Sequence, residues 1–259
     1  MKLETLWNNK VVLVTGASSG IGRGLGMELA WRGAAVGLLA RREDTLREMV
    51  TEIETGGGRA LALPADVTDA EAVRQASGEL SKQFGPIDVL FANAGVGGTA
   101  HAANLEPEQV ANVIDINVNG VVNSVTAVLG DMIKRGQGQL VAISSIAAYR
   151  GLPKSAAYCS SKAAVSAFFE SLRLDLHGSG VDVTIIHPGF IRTPLTAGRK
   201  ARLPWLMEVE EAVDKILRAT EARKKSYAFP WQLATIVRAG MIMPNFMYDW
   251  LSRRNSLRE

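Results

Sequence analysis

The chain has 259 residues, 47% of them hydrophobic and 21% charged, with a net charge of +3. That length and apolar content suffice for one substantial core, so residues 1–259 are expected to form a single domain. The small net charge gives no electrostatic basis for nucleic-acid binding, and a lone cysteine, Cys159, excludes an intrachain disulfide and a cysteine-based metal site.

Strand and helix signals alternate from the start. Val11 to Val14 reads as a strand, a helix follows as far as Arg32, and Ala35 to Ala40 is a second apolar run. Leu46, Met49, Val50 and Ile53 repeat at helical spacing. After the short strand Leu61 to Leu63, Thr68-Asp69-Ala70-Glu71 reads as a capping box for a helix ending near Phe84. Further buried strands are expected at Ile87 to Ala92, Leu140 to Ser144 and Val181 to His187, separated by long helices over Val118 to Lys134 and Ala156 to Leu176. Glu208 to Arg223 is an amphipathic helix, and Tyr227 to Phe229 is an edge strand before Pro230. This order predicts an α/β fold, a Rossmann-type doubly wound parallel sheet of about seven strands.

Where the first strand turns into the first helix stands Thr15-Gly16-Ala17-Ser18-Ser19-Gly20-Ile21-Gly22. The amides of such a turn, among them those of Ser18, Ser19 and Ile21, and the helix N-terminus face outward together and suit a pyrophosphate. Gly16, Gly20 and Gly22 permit the turn and a close backbone approach. Dinucleotide sites place an acid for the ribose 2′-hydroxyl, or a base for a 2′-phosphate, about 20 residues further on. Here the second strand ends Leu39-Ala40-Arg41-Arg42. Two guanidiniums pair with a doubly charged phosphate, so NADP(H) is favoured over NAD(H), with Glu43 the residue able to oppose it. Asp66 and Val67, past the third strand, and Asn93, Ala94 and Gly95, past the fourth, also fall at the carboxyl ends of strands, where ligands bind. Asp66 suits either an adenine amino group or a turn cap.

Tyr158 and Lys162 stand one helical turn apart and share a face. Lowering a tyrosine pKa from near 10 to about 7 takes roughly 4 kcal/mol, the size of one ammonium charge at about 4 Å in an effective dielectric near 20. Ser145 ends the fifth strand, where a hydroxyl donates to a carbonyl oxygen as charge develops, with Tyr158 moving the proton. Asn117 is either a helix cap or an anchor for Lys162 or water.

As a set these residues resemble the short-chain dehydrogenase/reductase family: Thr-Gly-x-x-x-Gly-Ile-Gly at 15–22, Asn-Ala-Gly at 93–95, Asn117, Ser145, Tyr158-x-x-x-Lys162, and Pro188-Gly189 followed by Thr193. The resemblance runs from about Lys10 to Thr196. It implies a tetrad in which Tyr158 is the acid/base, Lys162 binds the nicotinamide ribose, Ser145 orients substrate and Asn117 holds a relay water. It also implies that Pro188, Gly189, Ile191 and Thr193 bind the nicotinamide end, and that the chain forms a homodimer or homotetramer through its two long middle helices. Phe91-Ala92 replaces the frequent paired asparagines before Asn93, and the carboxyl end lacks the Asp-Gly-Gly finish of acyl-carrier-protein reductases.

Residues 190–207 are expected to close over the nicotinamide, with Leu195, Leu203, Trp205 and Leu206 making a pocket for a small apolar carbonyl or alcohol. Residues 230–259, just after Phe229, form an apolar tail, with Trp231, Leu233, Ile236, Val237, Met241, Ile242, Met243, Phe246, Met247 and Trp250, broken by Pro244 into two short helices. Subunit packing, a substrate lid, and weak contact with an anionic membrane surface all fit it, the last because Arg238, Arg253 and Arg254 are interleaved. From Arg199 onward about 12 basic side chains face 7 acidic ones, so the positive character belongs to this region. His101, His177 and His187 lack ligand spacing, Cys159 reads as a buried small residue, and no metal is expected. The polar start of the chain and the lack of an uncharged apolar run near 18 residues predict a cytoplasmic protein.

Overall fold

The computed structural model describes residues 6–197 and 203–254. Seven parallel strands form one sheet in the order β3-β2-β1-β4-β5-β6-β7. They are β1 Val11–Thr15, β2 Ala35–Ala40, β3 Arg59–Pro64, β4 Val89–Ala92, β5 Gly138–Ile143, β6 Val181–Pro188 and β7 Ser226–Phe229. Every residue of β1 is buried. Alternation sends Val12 and Val14 into one hydrophobic cluster and Val11 and Leu13 into the other, so the sheet separates two cores. On the first side lie α1 Gly20–Trp31, α2 Glu43–Thr55 and α7 Val209–Glu221. On the second lie α3 Ala70–Phe84, α5 Gly120–Arg135 and α6 Ala156–Asp175. Gly26 lets α1 press onto the sheet, because a Cβ there would lie 2.5 Å from Leu38 Cδ2.

Three expectations are corrected. The fourth strand begins at Val89, not Ile87; just ahead of it the Asp88 carboxylate accepts from the Val11 amide at 3.0 Å. The cap of α3 is Asp69, not Thr68: the Asp69 carboxylate accepts from the Glu71 and Ala72 amides, while the Thr68 hydroxyl donates to Asp66. Asn117 caps nothing. It lies inside a continuous helical rod in which α4 Pro107–Ile114 passes through a π turn, Asp115–Asn119, into α5. That 29-residue rod is long and apolar enough to cross a membrane by length and composition, yet Val113, Val121, Val125, Val128 and Met132 are buried inside the fold.

The tail forms α8 Trp231–Ile242 and α9 Asn245–Arg254, separated at Pro244. Leu233 and Ala234 pack inward, but Trp231, Ile236, Met241, Ile242, Phe246, Met247 and Trp250 are exposed, so this chain's own core does not cover them. Arg199, part of the 190–207 segment and the side chains of Arg253 and Arg254 lie outside the described residues.

Candidate active site

The turn between β1 and α1 is built by close contacts. Gly16 and Gly20 have φ of +67° and +52°, and a Cβ on Gly22 would lie 2.3 Å from the Gly16 carbonyl oxygen. Thr15 Oγ1 accepts from the amides of Asn93 and Ala94 at 3.0 and 3.1 Å, and Asn93 Nδ2 donates to the Thr15 carbonyl at 2.9 Å. The segment after β4 therefore braces the glycine turn. Outward from it opens a cavity of about 540 Å³, within the range of small-molecule sites. Of the residues expected at the site, Gly22 and Asn117 stand behind the cavity wall. The others line it: Gly16, Ser18, Ser19, Gly20, Ile21, Arg41, Arg42, Asp66, Val67, Asn93, Ala94, Gly95, Ser145, Tyr158, Lys162, Pro188, Gly189, Ile191 and Thr193.

At one end, Arg41 makes a 3.6 Å ion pair with Asp66, and Arg42 donates to the Ser18 hydroxyl and carbonyl. Asp66 also accepts from the Thr68 amide and hydroxyl, so the turn-cap role is present alongside its place on the wall. Partial burial pushes the Asp66 carboxyl up, but the Thr68 bonds and the Arg41 charge outweigh it and leave the pKa lowered. Glu43 pairs with Arg47, one helical turn along α2.

At the other end, α6 presents Tyr158 and Lys162. The Lys162 Nζ lies 5.9 Å from the Tyr158 ring centre and donates to the Ile143 carbonyl at 2.9 Å. Burial lowers the lysine pKa from 10.5 to about 8, so the ammonium is still mostly charged at neutral pH. Ser145 Oγ accepts from the Ala147 amide at 3.1 Å, which leaves the hydroxyl proton as the group available to the cavity. Asn117 Oδ1 accepts from the Val96 amide at 2.7 Å, and its Nδ2 donates to Val96 O and Ser161 Oγ, both at 3.0 Å. Asn117 thus fastens the segment after β4 to α6. Gly95 admits this arrangement, since a Cβ there would lie 3.2 Å from Asn117 Oδ1 and 3.4 Å from Lys162 Nζ.

Sequence reasoning missed Ser144, Ser161 and His187 as supports. Ser144 Oγ bonds the Lys162 carbonyl at 3.0 Å and Ser166 Oγ at 2.8 Å. His187 is buried, and its ring stacks on Tyr149 with centres 4.8 Å apart. The Ser144-Ser145 pair is visible in the sequence, but only folding shows that one hydroxyl faces α6 and the other the cavity. The expected apolar pocket is also revised: Leu195 lines the cavity beside Pro194, whereas Leu203, Trp205 and Leu206 do not. Met207 forms an isolated parallel bridge with Ile191. Burial raises the Cys159 thiol pKa, which opposes reactivity. Among the described residues no cluster of three or more histidine, cysteine or acidic side chains can hold a metal.

The site fits a dinucleotide: a glycine cradle whose amides sit at a helix N-terminus, cationic groups at one end, and hydroxyl, phenol and ammonium groups at the other. A family model described as short chain dehydrogenase matches residues 10–203. An uncharacterized oxidoreductase of Myxococcus xanthus is 43% identical over 245 residues, covering 95% of this chain and 97% of that protein. A putative ketoacyl reductase of Streptomyces coelicolor is 33% identical over 234 residues, 89% of each chain. The crystal structure of a short-chain type dehydrogenase/reductase from Mycobacterium marinum superposes with a TM-score of 0.79 at 27% identity, covering 92% of this chain and 98% of that one.

Proposed function

This chain belongs to the short-chain dehydrogenase family of oxidoreductases, and on that premise we propose that it exchanges hydride between NADP(H) and a carbonyl or secondary alcohol on an apolar substrate. The observation that carries this reading is one continuous cavity with Arg41 and Arg42 at one end and Ser145, Tyr158 and Lys162 at the other. The family's nicotinamide cofactor supplies the hydride when bound. Arg41 is exposed and its pair with Asp66 is loose at 3.6 Å, so it can turn to a 2′-phosphate at small cost, and Glu43 does not oppose it. Ser145 donates a hydrogen bond to the substrate oxygen, and Tyr158 supplies or removes the one proton transferred there. Lys162, held by the Ile143 carbonyl, keeps a positive charge beside the phenol and favours its anionic form.

Ile191, Pro194 and Leu195 form apolar wall at this end, which supports an apolar body next to the reacting carbon. A 3-oxoacyl substrate is the second reading, favoured by the similarity to the Streptomyces coelicolor protein. Screening NADPH and NADH oxidation over ketones and 3-oxoacyl esters of increasing apolar bulk tests the proposal. Turnover that prefers NADPH and rises with apolar bulk is expected. A cofactor-saturated chain that neither reduces carbonyls nor oxidises alcohols across the panel would point to a regulatory dinucleotide-binding protein instead. The chain is further proposed to act as a homodimer or homotetramer, which light scattering on the full chain tests.

A further inference from the structure

The C-terminal helices are fastened to the loop that follows Ser145. Arg150 Nη1 donates to the Gly240 carbonyl and, at 2.8 Å, to that of Met243, while its Nη2 donates to Asn245 Oδ1 at 2.9 Å. These carbonyls lie at the end of α8, where a cation is favoured, and that of Gly240 also accepts from the Met243 amide at 3.3 Å. The same guanidinium lies 3.9 Å from the centre of the Tyr248 ring, and the Tyr248 hydroxyl donates to the Gly151 carbonyl at 2.6 Å.

A second line of contacts runs from the tail to the serine. Arg238 donates to the Tyr149 hydroxyl at 3.1 Å, the Tyr149 ring stacks on His187, and His187 Nδ1 lies 3.3 Å from the Ser145 carbonyl oxygen. That carbonyl also accepts from the Ala148 amide at 3.0 Å, and Ser145 Oγ accepts from Ala147. The start of the tail also presses on Gly189, where a Cβ would lie 2.9 Å from Pro230 Cδ and 3.1 Å from Leu233 Cδ2.

We infer that Tyr149, Arg150 and His187 are positioning residues, through which the docked tail holds the 145–151 loop and sets the direction of the Ser145 hydroxyl. The tail thereby acts on turnover without touching the substrate. A displacement of about 1 Å at a reacting group costs up to about 100-fold in rate, so a loosened latch lowers kcat while the remote glycine cradle binds cofactor as before. The kinetic readout rests on the proposed carbonyl chemistry, and the exchange readout below rests on the geometry alone.

The test compares the full-length parent with Arg150→Met, Arg150→Lys and Tyr149→Phe. Arg150→Met is expected to lower kcat by about 10- to 100-fold, with the NADPH dissociation constant within about 2-fold. Its Ala147 and Ala148 amides should exchange hydrogen faster than in the parent, and Arg150→Lys, which keeps the charge but not the fork, should restore part of both effects. Parental kcat in Arg150→Met, or unchanged exchange at Ala147 and Ala148, overturns the inference. If Arg150→Met does not fold, Tyr149→Phe, which removes one oxygen and keeps the stack, decides by the same readouts. A parent that reduces no carbonyl defeats the proposed reaction, while the exchange data still judge the latch.

Discussion

Lys162 illustrates a group held at the expense of stability. It is 5% exposed, and burial lowers its pKa from 10.5 to about 8. Each pKa unit corresponds to about 1.4 kcal/mol, so the charged lysine costs the cofactor-free fold about 3 kcal/mol at neutral pH relative to the unfolded chain. Between about pH 8 and 10.5 the unfolded state holds this proton and the folded state does not, so stability rises with pH across that window. Below pH 8 the penalty is present in full. Lys162→Met removes the charge and also the bond to the Ile143 carbonyl, the latter at a cost of about 1 kcal/mol. The variant should therefore be catalytically poor and more stable than the parent at pH 7, the usual trade at an active site. Urea unfolding of both cofactor-free proteins from pH 7 to pH 10 checks this. The parent should gain about 2–3 kcal/mol on the variant over that range. A stability difference that does not change with pH would refute a desolvated, titrating Lys162.

Other perturbations follow from the same geometry. Arg41→Asp should weaken NADPH binding by about 10- to 100-fold and leave NADH binding nearly unchanged, as read by fluorescence titration; equal NADPH affinity in both proteins would contradict the phosphate clamp. His187, whose pKa burial lowers from 6.5 to about 4 with a smaller contribution from the Arg238 charge, takes up its proton more readily when the chain unfolds. Stability should consequently fall by about 2 kcal/mol between pH 7 and pH 5 in the parent but not in His187→Gln, as compared by urea titration. Gly22→Ala would place a methyl 2.3 Å from the Gly16 carbonyl oxygen. A loss of at least about 10-fold in NADPH affinity and about 1–3 kcal/mol of stability is expected, and a variant that binds as the parent does would show the cradle to be pliable.

The sheet was readable because its signals are local. Apolar runs such as Val11 to Val14 alternate with helical periods, and the glycine turn falls between the first of each. Tyr158 and Lys162 share a face for the same reason, since four residues make about one turn. What stayed hidden depends on residues distant in sequence. Nothing near Asn117 announces that Val96 and Ser161 consume its hydrogen bonds, or that a π turn carries the chain past it without a break. Thr68 looked like a cap because the box pattern fits it, but Asp66 takes its hydroxyl and Asp69 takes over. Adjacent arginines read alike, yet Arg41 reaches Asp66 across the strand ends while Arg42 folds back on Ser18. The tail's apolar residues were plain in sequence, but not their exposure or its latch at Arg150.

Proton transfer at the Tyr158 oxygen is the central claim, and removing that one atom tests it most directly. Tyr158→Phe, assayed for NADPH-dependent reduction on the best ketone from the screen alongside NADPH affinity, is expected to lose at least about 100-fold in turnover while binding cofactor as the parent does. Turnover retained at the parental level would contradict the assignment of Tyr158 as acid and base.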